Sequence, residues 1–463
     1  MTGPLVGNGG TLILGVELGG DASPSDRLLL DGVAAVASGN SRMLVENRGG
    51  LGAATSGDGI PLVVTQNGAT TTATAFALGN AGGHVDAGAY QYRLFAGNAA
   101  GSGAGWYLRS AAAAPAPAPV PSPIAPAPTP AYREEAGLLS AIPQLMRQAD
   151  LAMLSNLHRR MGDEDIKMQA ASTGAITPAP VPAQRRGWAR AIYSDVNVQQ
   201  SGTVNPHTKG HLDGVQAGVD LFTSETGAWR AGLYVGSLDG GMNVDASAGG
   251  QYGRVGGIAS SSRNLGAYAT YLGQDGLYAD AVLQYGRHSF NTTTLSSNAS
   301  AGGKGTSYSA SLEAGQSFRL NDSWRIEPQA QLIRQHVRVD DMAISGTTTV
   351  HQDAEDVWVG RLGVRIKGDV TSSAGKLQPY GRANLYRSSG GSDTASFATT
   401  AATTAITTRT GYTSGELAAG LTLKLSPTAS FYGEVGKVFK LGSSGGAQVR
   451  SSVQGSVGLR VGF

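Results

Sequence analysis

Residues 453–463 read Val453-Gln454-Gly455-Ser456-Val457-Gly458-Leu459-Arg460-Val461-Gly462-Phe463, and this stretch decides the fold. Successive side chains of a strand point to opposite faces. Val453, Val457, Leu459, Val461 and Phe463 therefore share one face, while Gln454, Ser456 and Arg460 share the other. An apolar face backed by a polar one suits a strand with lipid on one side and a wet interior on the other. The stretch from Leu277 to Tyr285 repeats the pattern, with Leu277, Ala279, Ala281, Leu283 and Tyr285 set against Tyr278, Asp280 and Gln284. A strand of about 11 residues tilted near 40° covers roughly 27 Å, close to the apolar band of a transmembrane barrel.

Moving back from the C-terminus, twelve candidate strands begin near Trp188, Leu212, Trp229, Arg263, Leu277, Ser307, Trp324, Asp356, Leu377, Thr413, Ala429 and Ser451. An even count suits a bacterial barrel. A soluble β-sandwich also alternates, but two features favour the membrane. Trp188, Trp229, Trp324 and Tyr432 lie near strand ends, as interface girdles do, and short turns such as Gln274-Asp275-Gly276 alternate with long polar loops such as residues 291–305.

Composition agrees with an all-β chain. Of 463 residues 68 are Gly and 15% are charged, which favours turns and strands over helical bundles. No apolar run reaches the roughly 20 residues that a transmembrane helix needs. The formal net charge of +2, with no basic patch, argues against nucleic acid as a partner. There is no cysteine, which decides nothing about compartment. Met1-Thr2-Gly3-Pro4 lacks a basic and then apolar leader, so an exported chain of this kind is expected to be part of a longer precursor.

Four segments precede or make up the barrel. Residues 1–110 hold short β segments, at Thr11–Leu14, Arg27–Leu30, Ser41–Val45, Pro61–Val64 and Tyr90–Leu94, that suggest the last rungs of a parallel β-helix closing at Gly105-Trp106-Tyr107-Leu108-Arg109. Residues 111–131 form an Ala/Pro linker of polyproline type. Residues 132–187 are a lead-in whose helix runs from Tyr132 to Glu164, with Leu145, Leu151, Leu154 and Leu157 near one face and Pro143 starting or kinking it. Residues 188–463 are the barrel.

The order of parts, and particular runs within it, resemble the pertactin-type autotransporter family of type V secretion. Leu18-Gly19-Gly20-Asp21, Asp26-Arg27-Leu28, Gly57-Asp58-Gly59-Ile60, Gly88-Ala89-Tyr90 and Trp106-Tyr107-Leu108 are similar to the autochaperone-like cap that ends the passenger β-helix. Leu157-His158-Arg159-Arg160-Met161-Gly162-Asp163 resembles the linker helix that threads the pore. Gly266–Tyr271, Ser311–Gly315, Ile326–Ala330 and Gly360–Gly363 resemble barrel segments. The terminal residues Ser456, Gly458, Val461 and Phe463 fit the β-signal read by barrel-assembly machinery, since an unpaired strand can add to an open sheet edge.

The resemblance implies an outer-membrane translocator and anchor that displays an N-terminal passenger on the bacterial surface. It also implies lipid, periplasmic chaperones and assembly machinery as partners, and a monomeric barrel. In self-cleaving relatives, lumenal acids help cut the linker by cyclisation of an Asn side chain onto its own carbonyl carbon. Here Asp280, Glu313 and Glu327 occupy the inward phase, and the matching linker pair is Ser155-Asn156. Ser155 offers no amide nucleophile, so cleavage by that route is not expected. The carboxylates are expected instead to pair with Arg325, Arg361 or Arg365. Gly101-x-Gly103-x-Gly105 reads as a turn, and His207 and His211 read as loop residues without a third metal ligand. No enzyme, cofactor or metal is expected. The alternatives are an adhesin or virulence factor whose activity lies in the passenger, and a self-cleaving autotransporter.

Overall fold

The computed structural model describes every residue except Ala22, 112–128, 162–183, Gln274, Ser345, Gly346, Ser373, Ala374, Ala401, Pro427 and 443–445. Residues 112–128 of the Ala/Pro linker, Gly162, Asp163 and the segment carrying Pro178, Pro180 and Pro182 therefore lie outside the described residues.

Twelve antiparallel strands close into a barrel. In chain order they are Arg186–Gln200, His207–Thr223, Trp229–Ala248, Gln251–Leu272, Leu277–Thr294, Ser300–Gln316, Trp324–Val339, Val357–Gly368, Gly375–Ser388, Thr413–Lys424, Ala429–Lys440 and Ala447–Gly462, called strands one to twelve below. Closure comes from strand one pairing with strand twelve, from Arg186 opposite Gly462 to Gln200 opposite Ala447. With no open edge, every ladder is satisfied within the chain, which hydrocarbon requires. One rim, holding both barrel termini, carries the short turns. At the other, four strands from two long connections (Met342–Ile344, Thr348–Asp353, Ser392–Ala398 and Thr403–Arg409) form a separate sheet.

The expected phases hold. Val453, Val457, Leu459, Val461 and Phe463 are exposed, while Ser456 and Arg460 are buried. Leu283 is 66% exposed, beside a Gln284 that is 3% exposed. The strands run from 12 to 22 residues, longer than the expected 11. Above the apolar band their outer faces carry ion pairs such as Arg254–Asp245 at 2.9 Å. Most of residues 291–305 accordingly belong to the tips of strands five and six, paired out to Thr293–Ser300, and the connection itself is the short stretch 295–299. His207 and His211 likewise belong to strand two. Trp229 and Trp324 face outward, but Trp188 and Tyr432 face the lumen. Trp188 shares the inward phase of Arg190, and its indole N–H reaches the Tyr268 hydroxyl at 3.4 Å.

Residues 1–110 contain parallel pairs typical of a β-helix, Leu5–Val16 with Val36–Asn47 and Leu28–Asp31 with Ile60–Gln66. The stack then turns antiparallel through Tyr90–Ala96 and Trp106–Arg109. Leu14, Val16, Leu30, Met43, Val45, Leu62, Phe76 and Trp106 fill its core. Gly101, at φ 75°, and Gly103, at φ 82°, form the tight connection before Trp106, where left-handed backbone favours glycine.

In place of one long helix, the lead-in holds α1 (Glu134–Ser140), α2 (Ile142–Leu154) and α3 (Leu157–Met161). Pro143 sits in the first turn of α2, where its missing N–H costs nothing. Ser155, at φ 55°, ends α2. The Asn156 carboxamide oxygen then accepts the Arg159 N–H at 2.9 Å, capping α3.

Candidate functional site: the helix-filled lumen

The lumen has two chemical halves, and this division explains how a leucine-rich helix fits a polar barrel. Near the loop rim, Leu138, Leu139, Ile142, Leu145, Met146, Ala149 and Met153 pack among Ile192, Val196, Leu212, Leu238, Met242, Val244, Phe290 and Val337. Inward positions there are apolar, so burying α1 and α2 removes hydrocarbon from water on both sides. Towards the turn rim the inward positions are charged, and α3 brings charges to meet them.

The three acids expected in the lumen each contact α3 or its first peptide. The Arg160 guanidinium places Nη2 2.8 Å from both oxygens of Asp280, which also accepts the Thr270 hydroxyl at 2.6 Å. Glu313 accepts the Leu157 N–H at 3.2 Å and the Tyr278 hydroxyl at 2.7 Å, and pairs with Arg361 at 3.0 Å. Glu327 meets His158 Nε2 at 2.8 Å and accepts the Gln329 amide at 2.7 Å. Of the expected arginine partners, Arg361 contacts a carboxylate in this set. Arg365 is buried, its guanidinium 4.1 Å from the centre of the Tyr380 ring and interacting electrostatically with Glu327, while Arg325 is only half-buried at the turn rim.

Ser155 and Asn156 lie within this cluster. The Ser155 carbonyl accepts the Gln331 amide at 3.1 Å, whereas its buried hydroxyl makes no hydrogen bond among the described residues. The Asn156 side chain is committed to capping α3, so its oxygen serves backbone geometry.

Several holding residues gave no separate signal in the sequence. Arg190 donates to the carbonyls of Met153 at 2.8 Å, Arg159 at 3.2 Å and Ala152 at 3.4 Å. It thereby sets a cation at the C-terminal end of α2, where helix carbonyls lack partners. Its position two residues after Trp188 is the clue that strict phase reading offers. Arg147 on α2 forms two 2.7 Å contacts with Asp393, in the sheet over the loop rim. Arg159 and Arg382 share Glu434, at 3.1 and 2.6 Å. The Tyr432 hydroxyl and the Arg460 guanidinium take the carbonyls of Arg160 and Met161, at 2.8 and 3.0 Å.

Across this barrel, residues 187–436 match the family described as autotransporter beta-domain. The chain belongs to the autotransporter family. Residues 2–94 match the Autochaperone Domain Type 1. The chain is 30% identical over 402 residues to the adhesin BmaC autotransporter of Brucella suis biovar 1, covering 83% of this chain and 11% of that protein. It is 29% identical over 394 residues to the pertactin autotransporter of Bordetella bronchiseptica, covering 81% of this chain and 40% of that one. Uncharacterized protein YdeU of Escherichia coli K12 aligns end to end instead, 27% identical over 490 residues with 99% and 97% covered. Thus the chain spans about a tenth of BmaC and two fifths of pertactin. Among solved structures, the beta domain of the Bordetella autotransporter BrkA aligns with 60% of this chain and all of its own, at 23% identity and TM-score 0.46.

As an autotransporter translocator, the barrel sits in the outer membrane and displays its N-terminal segment at the surface. That orients the molecule. The turn rim is periplasmic, and the loop rim, where α1 joins the N-terminal module, is extracellular. There the Tyr132 carbonyl accepts the Gly249 N–H at 2.8 Å, Glu134 accepts the Ser296 N–H at 3.1 Å, and His84 Nε2 lies 2.8 Å from the Ser296 hydroxyl.

Proposed function

We propose that this autotransporter is an uncleaved anchor, which exports its N-terminal segment and keeps it attached through a helix locked in the pore. The division into cap (1–110), linker (111–131), lead-in (132–187) and barrel (188–463) belongs to this reading. The observation that carries it is the junction at Ser155-Asn156, where a hydroxyl replaces the amide that Asn cyclisation needs, while Arg160 and Arg190 tie the flanking helices to the wall and Arg147 ties α2 to the sheet over the loop rim. Asp280, Glu313 and Glu327 then act as holding groups, and the chain itself performs no turnover.

The terminal strand supports assembly by a β-signal at Ser456, Gly458, Val461 and Phe463. Ser456 is buried inward, Val461 and Phe463 face outward, and a Cβ at Gly458 would run into the Tyr432 ring. Assembly machinery and periplasmic chaperones are the partners this implies, around a monomeric barrel in lipid. An adhesive passenger is the second reading, prompted by the name of BmaC. The test is a gel of outer-membrane fractions from cells expressing the chain behind a leader, with tags at both ends, unboiled beside boiled. One heat-modifiable species carrying both tags is expected. Two fragments from a heat-modifiable barrel would overturn the uncleaved reading.

A further inference from the structure

The outer wall of the barrel is uneven near the extracellular rim. Strand register sets Arg263 directly opposite Arg287, with Thr306 next across the sheet and then Arg338. All three arginines are exposed on the lipid-facing phase, and Lys304 stands beside Thr306 on the same face. Like charges directly opposite on neighbouring strands repel. The local acids do not neutralise the row. Asp239 lies 3.8 Å from Arg263, and Asp356 is shared by Arg334 and His336, 2.6 Å from each. Asp340 is exposed on the chain beyond Arg338. Among the described residues no carboxylate forms an ion pair with Arg287 or Arg338. On strands one and two, by contrast, the outward positions Tyr193, Asp195, His211 and Asp213 lean acidic.

Directly below the arginine row runs an aromatic one, Tyr285 beside Tyr308 with ring centres 5.1 Å apart. Below that, alanines between leucines open furrows in the wall. One of about 600 Å³ runs past Ala267, Leu283, Ala310 and the two tyrosines, and a neighbour of about 530 Å³ continues past Ala281, Leu312 and Leu332. Arg287 stands ten residues along strand five from Leu277 at the periplasmic turn, a rise of about 26 Å at the usual tilt and so the upper edge of the apolar band.

The geometry points to a binding site for one phosphorylated, multiply acylated lipid of the outer leaflet, its acyl chains in the furrows and its phosphates on Arg263, Arg287 and Arg338. Guanidinium pairs phosphate strongly, by forked hydrogen bonds, and the anion relieves the repulsion within the row. The site rests on the outer-membrane reading, which heat-modifiability tests separately.

The experiment is native mass spectrometry of the full chain in detergent, titrated with bis-phosphorylated hexa-acyl lipid A, its dephosphorylated form, or phosphatidylethanolamine. The wild type is expected to retain one phosphorylated copy with at least about tenfold preference. Joint replacement Arg263→Ala, Arg287→Ala and Arg338→Ala abolishes that preference, lysine at the three positions restores part of it, and Lys209→Ala, Lys437→Ala and Lys440→Ala together leave it intact. Equal retention of phosphorylated and dephosphorylated lipid by the wild type overturns the site. So does unchanged preference in the arginine variant, or full displacement by excess inorganic phosphate, which would leave an anion site only. If the arginine variant does not fold, the wild-type comparison decides alone.

Discussion

Arg160 and Asp280, 120 residues apart in sequence, meet with Nη2 2.8 Å from both carboxylate oxygens, and each side chain is at most 2% exposed. This pair fixes α3 to strand five. Removing one member leaves a buried charge facing a group that has lost its counter-ion, a loss of about 3–5 kcal/mol. Arg160→Met is therefore expected to lower the temperature at which the compact unboiled band converts to the unfolded one. Arg160→Met combined with Asp280→Leu should recover most of the loss, because no charge is then stranded. A single variant converting at the wild-type temperature would show that α3 contributes nothing to holding the barrel.

Ser155 gives a sharper test of what the lumen can do chemically. Its carbonyl is already polarised by Gln331 at 3.1 Å, and Glu313 and Asp280 are in place around α3. Cyclisation requires only that an amide nitrogen stand at this position. Ser155→Asn should yield a fragment ending at residue 155, detected by intact mass, while the parent chain stays whole and Ser155→Ala stays whole as well. No cut in the asparagine variant would mean that the kink at φ 55° holds the side chain away from its own carbonyl.

Asp21 joins two of the runs that carry the family resemblance. Its carboxylate accepts the N–H groups of Ser56 at 2.9 Å, Gly57 at 3.0 Å and Gly59 at 2.8 Å. Partial burial pushes the acid up, but the N–H groups of Ser56, Gly59 and Gly57 outweigh it and hold the pKa below the ordinary 3.8. A depressed carboxylate stabilises the fold fully above its unfolded pKa and loses that contribution as pH falls through the folded one. The cap should thus be insensitive to pH from neutral down to about 4 and weaken below it. Asp21→Ala should cost about 1–3 kcal/mol at neutral pH and flatten the acid dependence. Hydrogen exchange at Ser56, Gly57 and Gly59 in the full chain measures both, and equal acid sensitivity in the variant would exclude Asp21 as the source.

The wall of the barrel was legible because a period of two needs few residues to declare itself. Each of the twelve expected strands lies on an observed one, although Asp356 stands one residue before its strand. Starts were less legible. Strand four begins at Gln251 rather than near Arg263 because Tyr252–Ser262 is rich in Gly and Ser and a bulge at Val255 breaks the alternation, leaving Val255 and Ile258 as its few apolar inward positions. Trp188 and Tyr432 misled because aromatic type was weighed over phase, and phase puts both in the lumen. The acids of the site followed from phase alone. Their partners on α3 did not, because which residue of a short helix meets which strand depends on the break at Ser155, a backbone feature that serine does not announce.

Arg147 and Asp393 were out of reach for a related reason, since 246 residues separate them and Asp393 shares the inward phase of its strand with Ala395 and Phe397, where an apolar residue would be expected. In the structure they are the bolt between α2 and the extracellular sheet. Both side chains are 2% exposed, and Arg147 also donates to the Glu355 carbonyl at 2.7 Å. Asp393→Asn removes the charge but keeps the shape, stranding a buried guanidinium whose relief is for the sheet to lift or for water to enter. Either response opens the extracellular mouth beside the helix. Planar-bilayer recordings of Asp393→Asn should therefore show more frequent and larger openings than the wild type, with the band shift on heating still present. Closed recordings indistinguishable from the wild type would place the seal in the apolar packing of α1 and α2 rather than in this ion pair.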